Sequence, residues 1–208
     1  MAPSDATTTP NDPEIKLTRG TIDKLLVGVG AVAALVLVIA GGLLTWGASF
    51  SNDYVRDELE SQNVFFPTEE SLKGEGRDDL VEYAEQQVLT GKQAEQYASY
   101  IQGHLDGMAD GKTYSQIPDR AAKQAVADAI EAGEDQATID ELKAEADRVT
   151  ALRDSLFKGE TLRGLLLTSY AWSTIGQIAG IAAWVTFAAA ALMAILTVAG
   201  IVHIRKQQ

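Results

Sequence analysis

The sequence predicts an all-α membrane protein in which two transmembrane helices flank an extracytoplasmic helical hairpin or small helical bundle. Three observations carry this. No Asp, Glu, Lys or Arg interrupts Leu25 to Asn52, and none interrupts Gly164 to Ile204. Each run exceeds the roughly 20 residues that cross a hydrocarbon core as helix. Between them the apolar residues recur at helical spacing, and no stretch alternates at period two.

Charge follows the same division. Ser51 to Arg163 holds 25 of the 29 acidic residues against 12 of the 17 basic ones, a net charge of −13, so the remainder of the chain is close to neutral. A surface this acidic repels phosphate backbones, so nucleic acid is not an expected partner. Cysteine is absent, which excludes disulfides, thiolate metal sites and a cysteine nucleophile.

Residues 1–20, with three prolines, four threonines and little to bury, read as a disordered cytoplasmic tail. The first transmembrane helix is expected over 22–50. Its core is longer than a cleaved signal peptide's, and Trp46-Gly47-Ala48 puts a bulky side chain where a peptidase needs a small one, so it reads as an uncleaved anchor. Lys16, Arg19 and Lys24 precede this run, and Arg205 and Lys206 follow the second; Arg56, Lys158 and Arg163 flank the other ends. The excess places both termini in the cytoplasm and the central domain outside a multi-pass cell-membrane protein.

The acidic domain is expected over 51–163. Ala94, Tyr97, Ala98, Ile101, Leu105 and Met108 form one apolar stripe; Ala121–Ala132 reads as a short helix stopped by Gly133. Ile139, Leu142, Val149, Leu152 and Leu156 form a second stripe, expected to end near Gly159. Residues 164–203 then hold an apolar collar and the second transmembrane helix, and 204–208 a short cytoplasmic tail. As one helix, the uncharged run after Arg163 would measure about 58 Å, nearly twice the hydrocarbon core. Tyr170 and Trp172 are headgroup-level residue types. Gly164–Ala171 is thereby left above the bilayer as an apolar collar needing a cover.

Gly176 and Gly180 form a G-x-x-x-G within a longer small-residue face that includes Ser169, Ser173, Ala183, Ala190 and Ala194. The first span carries a matching series, Gly30, Ala34, Gly41, Thr45 and Ala48. Such faces let helix backbones approach closely. They serve packing of the two spans on each other or on a partner's helices, and the sequence leaves both open.

No site for chemistry emerges: no catalytic, cofactor-binding or metal-binding residue is expected, and no cofactor. Intramembrane ionisable groups, the mark of pumps and transporters, are missing from both runs. His104 lies near Asp106 and Asp110 without an EF-hand pattern. His203 beside Arg205 and Lys206 reads as a headgroup-level residue. The acidic pairs Asp78-Asp79, Glu134-Asp135 and Asp140-Glu141 read as solvated faces rather than acid–base dyads.

The strings "NVFFPTEESL", "YAEQQVLTGKQAEQYASYIQGHL", "DGKTYSQI" and "LFKGETLRGLLLTSYAW" together resemble a family of two-span actinobacterial membrane proteins without assigned enzymatic activity. The resemblance covers most of Val64 to Trp172 and supplies no catalytic residues. It implies an accessory subunit of the kind that accompanies the cytochrome bcc–aa3 respiratory supercomplex, in contact with the lipid bilayer and with integral membrane subunits of cytochrome bcc and the aa3 oxidase. The expected function is a non-catalytic accessory or scaffold subunit, with Leu165, Leu166, Tyr170, Trp172, Gly176, Gly180, Gly30, Ala34 and Gly41 at the interface. The rival readings are an envelope sensor whose acidic domain binds a ligand or basic partner, with output through the tail threonines, and an outer-face enzyme using clustered carboxylates.

Overall fold

A computed structural model describes residues 19–206. The expected tail falls outside these residues except for Arg19 and Gly20, which open the first helix. The described chain is all-α: α1 (Arg19–Gln62), α2 (Glu69–Gly74), a 3-10 turn (Asp78–Tyr83), α3 (Gly91–Ala109), a second 3-10 turn (Tyr114–Gln116), α4 (Asp119–Ala132) and α5 (Gln136–Lys206). Among the described residues the one β-type pairing is an isolated antiparallel bridge between Phe65 and Gln87.

Two of these helices are far longer than their expected spans. α1 continues past Phe50 for three more turns, because nothing from Ser51 to Gln62 breaks a helix and Ser51, Val55 and Leu59 recur every fourth residue as a buried edge. α5 runs without interruption through Gly159 and Gly164, uniting the second stripe, the collar and the second apolar run in 71 residues. A helix end near Gly159 is therefore not observed. A mid-helix glycine costs only about 1 kcal/mol against alanine, and this one admits a neighbour: a Cβ on Gly159 would lie 2.5 Å from Leu105 Cδ2.

The chain divides into two compact units. One comprises the segments up to Leu44 and from Ala182 onward. Here α1 and α5 pack antiparallel: Val27 meets Gly200, Gly30 meets Thr197 and Gly41 meets Phe187. Residues near Asp23 and His203 consequently share one end.

The other unit is Thr45–Ile181. Its main core joins Val55 and Leu59 of α1, Phe66 and Val88 of the connecting segment, Ala94 and Ala98 of α3, and Leu166 of α5. Phe66 stacks on Tyr83 at 5.3 Å and meets Tyr97 edge-on at 5.2 Å. A second cluster joins Leu105 and Ala109 of α3, Ile117 and Leu156, with Ile101 touching both clusters. The α3 stripe thus faces the two clusters through Leu105, with Ala94, Ala98 and Leu105 buried and Tyr97 and Ile101 half-buried, but its last buried member is Ala109, and Met108 points outward.

Local chemistry sets the boundaries. Thr90 and Gln93 form a capping box at the start of α3. Asp110, left-handed at φ 50°, ends it, and Gly133 at φ 72° ends α4. The Asp135 carboxylate accepts from the Thr138 amide and hydroxyl at the start of α5. Asp119 at the start of α4 faces both Lys123 and Arg153 at 3.5 Å, tying α4 to α5. Between α1 and α3 the chain is held by short pairings: Phe66 N–H donates to Gln86 O, and Val88 N–H to Val64 O. Leu72 and Leu80 are fully buried beneath it, each contributing about 1.5–3 kcal/mol.

The close approach at Gly159 yields a test. Gly159→Val should lower the unfolding free energy by about 1–3 kcal/mol through overpacking, while Gly164→Ala, which faces open space, should be neutral or stabilising by up to about 1 kcal/mol. Thermal or urea unfolding in detergent, followed by circular dichroism, distinguishes the two, and Leu105→Ala should recover part of the Gly159→Val loss.

Candidate functional site

The sequence places its candidate interface in the collar and on the small-residue faces, and the structure separates those residues sharply. In the Thr45–Ile181 unit, Leu165 is 63% exposed while its neighbour Leu166 is only 5% exposed, locked in the main core. Tyr170 is half-buried and Trp172 projects outward. The collar is therefore not a uniform apolar band; helical geometry turns Leu166 inward and leaves Leu162, Leu165 and Trp172 on the surface. Leu166 belongs to the protein's own core and reaches the surface only as part of the lining of a groove.

The glycines are occupied by the chain itself. Gly176 is buried against Ser51, where a Cβ would lie 3.0 Å from Ser51 Cβ and 3.3 Å from the Ala48 carbonyl oxygen; Gly180 lies over Ala48. Ser51, itself buried, donates to the Trp172 carbonyl oxygen at 2.6 Å. Gly91, the first residue of α3, packs directly on Ser173 and on the backbone at Tyr170. Ser51, Gly91, Ser173 and Gly176 thus make one junction of small residues where three helices meet. In the other unit, Gly30 and Gly41 leave room for Thr197 and Phe187, and Ala34 is half-buried. Of the two uses left open by the small-residue faces, packing within the chain is the one observed at these glycines.

The outward surface of the Thr45–Ile181 unit includes a groove of about 310 Å³ between α1 and α5, walled by Tyr54, Leu162, Leu165, Leu166 and Trp172 and rimmed by Glu58, Gln62, Thr168 and Ser169. Tyr54 also ends an aromatic ladder on α1. Trp46 stacks on Phe50 at 5.7 Å and Phe50 on Tyr54 at 6.1 Å, and all three rings are more than half exposed. Their spacing of four residues was readable in the sequence as one helix face; their outward orientation was not. Asp53 and Asp57 border the ladder, and the nearby Arg56 faces Glu60 at 3.9 Å. The surface is thus an apolar and aromatic strip with an acidic edge.

Several of the polar residues singled out from sequence make local contacts. Arg77 grips the Asp79 carboxylate through two nitrogens, Nε–Oδ1 at 3.0 Å and Nη2–Oδ2 at 2.8 Å, and donates to Ser99 O and Oγ on α3. That fork holds the Asp79 carboxyl below its ordinary range. Asp135 is lowered likewise by the Thr138 hydrogen bonds at the start of α5, and Asp140 accepts from Gln136. Exposed His104 lies beside Tyr100, with Nδ1 3.8 Å from Glu75. Burial raises the Tyr97 phenol. Among the described residues no three His, Asp or Glu side chains gather as metal ligands.

No protein-family model, curated protein or solved structure matches the chain. The class defined by the coordinates is an all-α protein with two helices long and apolar enough to cross a membrane.

Because the folded Asp79 carboxyl titrates below its unfolded value, its stabilisation is complete above about pH 4 and fades as pH falls through the lowered value. Asp79→Asn should therefore cost up to about 1 kcal/mol at pH 7, discounted for the exposure of the carboxylate. That cost should shrink as pH falls through the lowered value and the folded carboxyl takes up its proton. Unfolding midpoints measured across that range test the sign.

Proposed function

We propose that the chain is a non-catalytic, two-span membrane protein whose acidic helical domain docks on a larger membrane assembly as an accessory or scaffold subunit. The observation that carries the proposal is the outward apolar surface of α1 and α5. Their most apolar stretches have mean hydropathies of 2.6 and 2.4, yet only 6% of each stretch is buried within the protein. A soluble core helix with such hydropathy would be covered by its own fold; here Trp184 is 79% exposed. Lipid satisfies such a surface, and an unbroken helix meets the bilayer's demand that every backbone polar group be paired internally.

With the apolar runs in lipid, the Lys and Arg distribution puts both termini in the cytoplasm and the acidic domain outside. The aromatic ladder and groove then sit toward the membrane surface, where tryptophan and tyrosine are favoured. A partner for this strip presents apolar side chains to Leu165 and Trp172 and basic groups to Asp53, Asp57 and Glu58. The assembly we nominate is the actinobacterial bcc–aa3 supercomplex: "LFKGETLRGLLLTSYAW" and its companion strings resemble two-span actinobacterial membrane proteins without assigned activity, and small membrane proteins of that kind accompany the supercomplex.

Carbonate washing should leave the wild-type chain in the membrane, and tagged protein purified in mild detergent should carry subunits of the assembly with it. The double variant Leu165→Glu, Trp172→Glu should stay membrane-bound while co-purification falls about tenfold or more, as expected when central apolar anchors are removed. Extraction by carbonate would overturn the membrane reading; a membrane-bound chain that co-purifies with no other protein would overturn the docking reading.

A further inference from the structure

We infer that the two-segment unit, up to Leu44 and from Ala182, carries a binding site for an anionic diacyl phospholipid. α1 and α5 enclose a groove of about 260 Å³ there. Its floor is where the helices touch, at Gly30 and Gly200: a Cβ on the first would lie 2.7 Å from Thr197 Oγ1 and one on the second 2.7 Å from Val27 Cγ2. Leu26, Met193 and Leu196 form apolar walls, and Leu26 and Leu196 are largely exposed. The groove has polar character at one end, where Asp23 and His203 stand.

Charge identifies the occupant. Arg19 lies one helical turn before Asp23 and so shares its face of α1; Lys206 lies three residues beyond His203 and shares its side of α5. Lys24 and Arg205 are the sequence neighbours of Asp23 and of Ile204 at the same end, so among the described residues four cations lie within about a turn of the groove's polar end. A cleft apolar along its length, with Asp23 and His203 at its polar end and Arg19 and Lys206 about one turn further out, suits a phospholipid: an acyl chain lies between Leu26 and Leu196, and the phosphate reaches past the groove to Arg19 and Lys206. Basic pockets between membrane helices bind anionic headgroups in this way. A helix from another protein would bring apolar residues to the walls but leave those cations without a counter-charge.

The inference rests on the membrane reading, and its test separates the two. The full-length chain is placed in bilayers of phosphatidylcholine and phosphatidylglycerol, extracted in mild detergent, and the retained lipids are counted by native mass spectrometry. The wild type should retain phosphatidylglycerol over phosphatidylcholine. Arg19→Gln with Lys206→Gln should lower that preference roughly tenfold or more. Leu196→Trp, which fills the groove without altering charge, should also abolish retention. Equal retention of the two lipids, or retention undiminished in Leu196→Trp, would overturn the inference while leaving the membrane reading intact. So would release of the bound lipid by inorganic phosphate alone, the mark of a soluble-ion site, or displacement of all lipid by a second copy of the chain. A chain that does not enter the bilayer overturns both readings.

Discussion

Apolar surface that a protein does not bury in its own interior must be covered by something else, and that constraint governs this molecule. Leucine, isoleucine, valine and tryptophan side chains project from α1 and α5 along their most hydrophobic stretches. In water, each such side chain would forgo about 1.5–3 kcal/mol of burial free energy. Both stretches are free of charge, unbroken as helix, and long and apolar enough to cross a membrane, with small residues where the helices touch.

The remaining interior is modest in volume and rich in close approaches. Gly176 admits Ser51, Gly91 admits Ser173, and Gly159 admits Leu105. At these points a missing side chain does what a large one does elsewhere, by letting helices approach until other side chains fill the gap. The Arg77–Asp79 fork and the Thr90–Gln93 box hold the connecting segment against α3. They operate at the surface, where solvent moderates each contribution, so stability rests mainly on the aromatic and aliphatic clusters around Phe66 and Leu105.

Periodic features were legible from sequence, and non-periodic ones were not. The α3 stripe from Ala94 to Leu105 and the later positions Val149, Leu152 and Leu156 were readable because a 3.6-residue repeat marks a buried face. Leu72, Leu80 and Val88, all fully buried, were invisible to that reasoning because they lie on short helices and irregular links with no repeat to detect. Gly159 misleads for a physical reason, since one glycine is a helix stop only where the backbone turns left-handed. Gly133 at φ 72° is such a stop, and Gly159 is not. At the candidate site, the sequence shows Gly164–Ala171 to be uncharged but not the division between Leu165 and Leu166, which depends on how α5 is rotated against α1. Likewise a G-x-x-x-G records that helices approach closely, not which helices they are.

The most direct measurement exploits the lack of cysteine in the chain. Single cysteines replacing Leu35, Ile195 and Glu141, spin-labelled in reconstituted protein, report access to oxygen, which concentrates in hydrocarbon, and to a water-soluble nickel chelate. Labels at Leu35 and Ile195 should meet oxygen and exclude the chelate, while the label at Glu141 should show the reverse. Free access of the chelate to Leu35 and Ile195 would mean that water, or no lipid, covers those faces, and the account would fail.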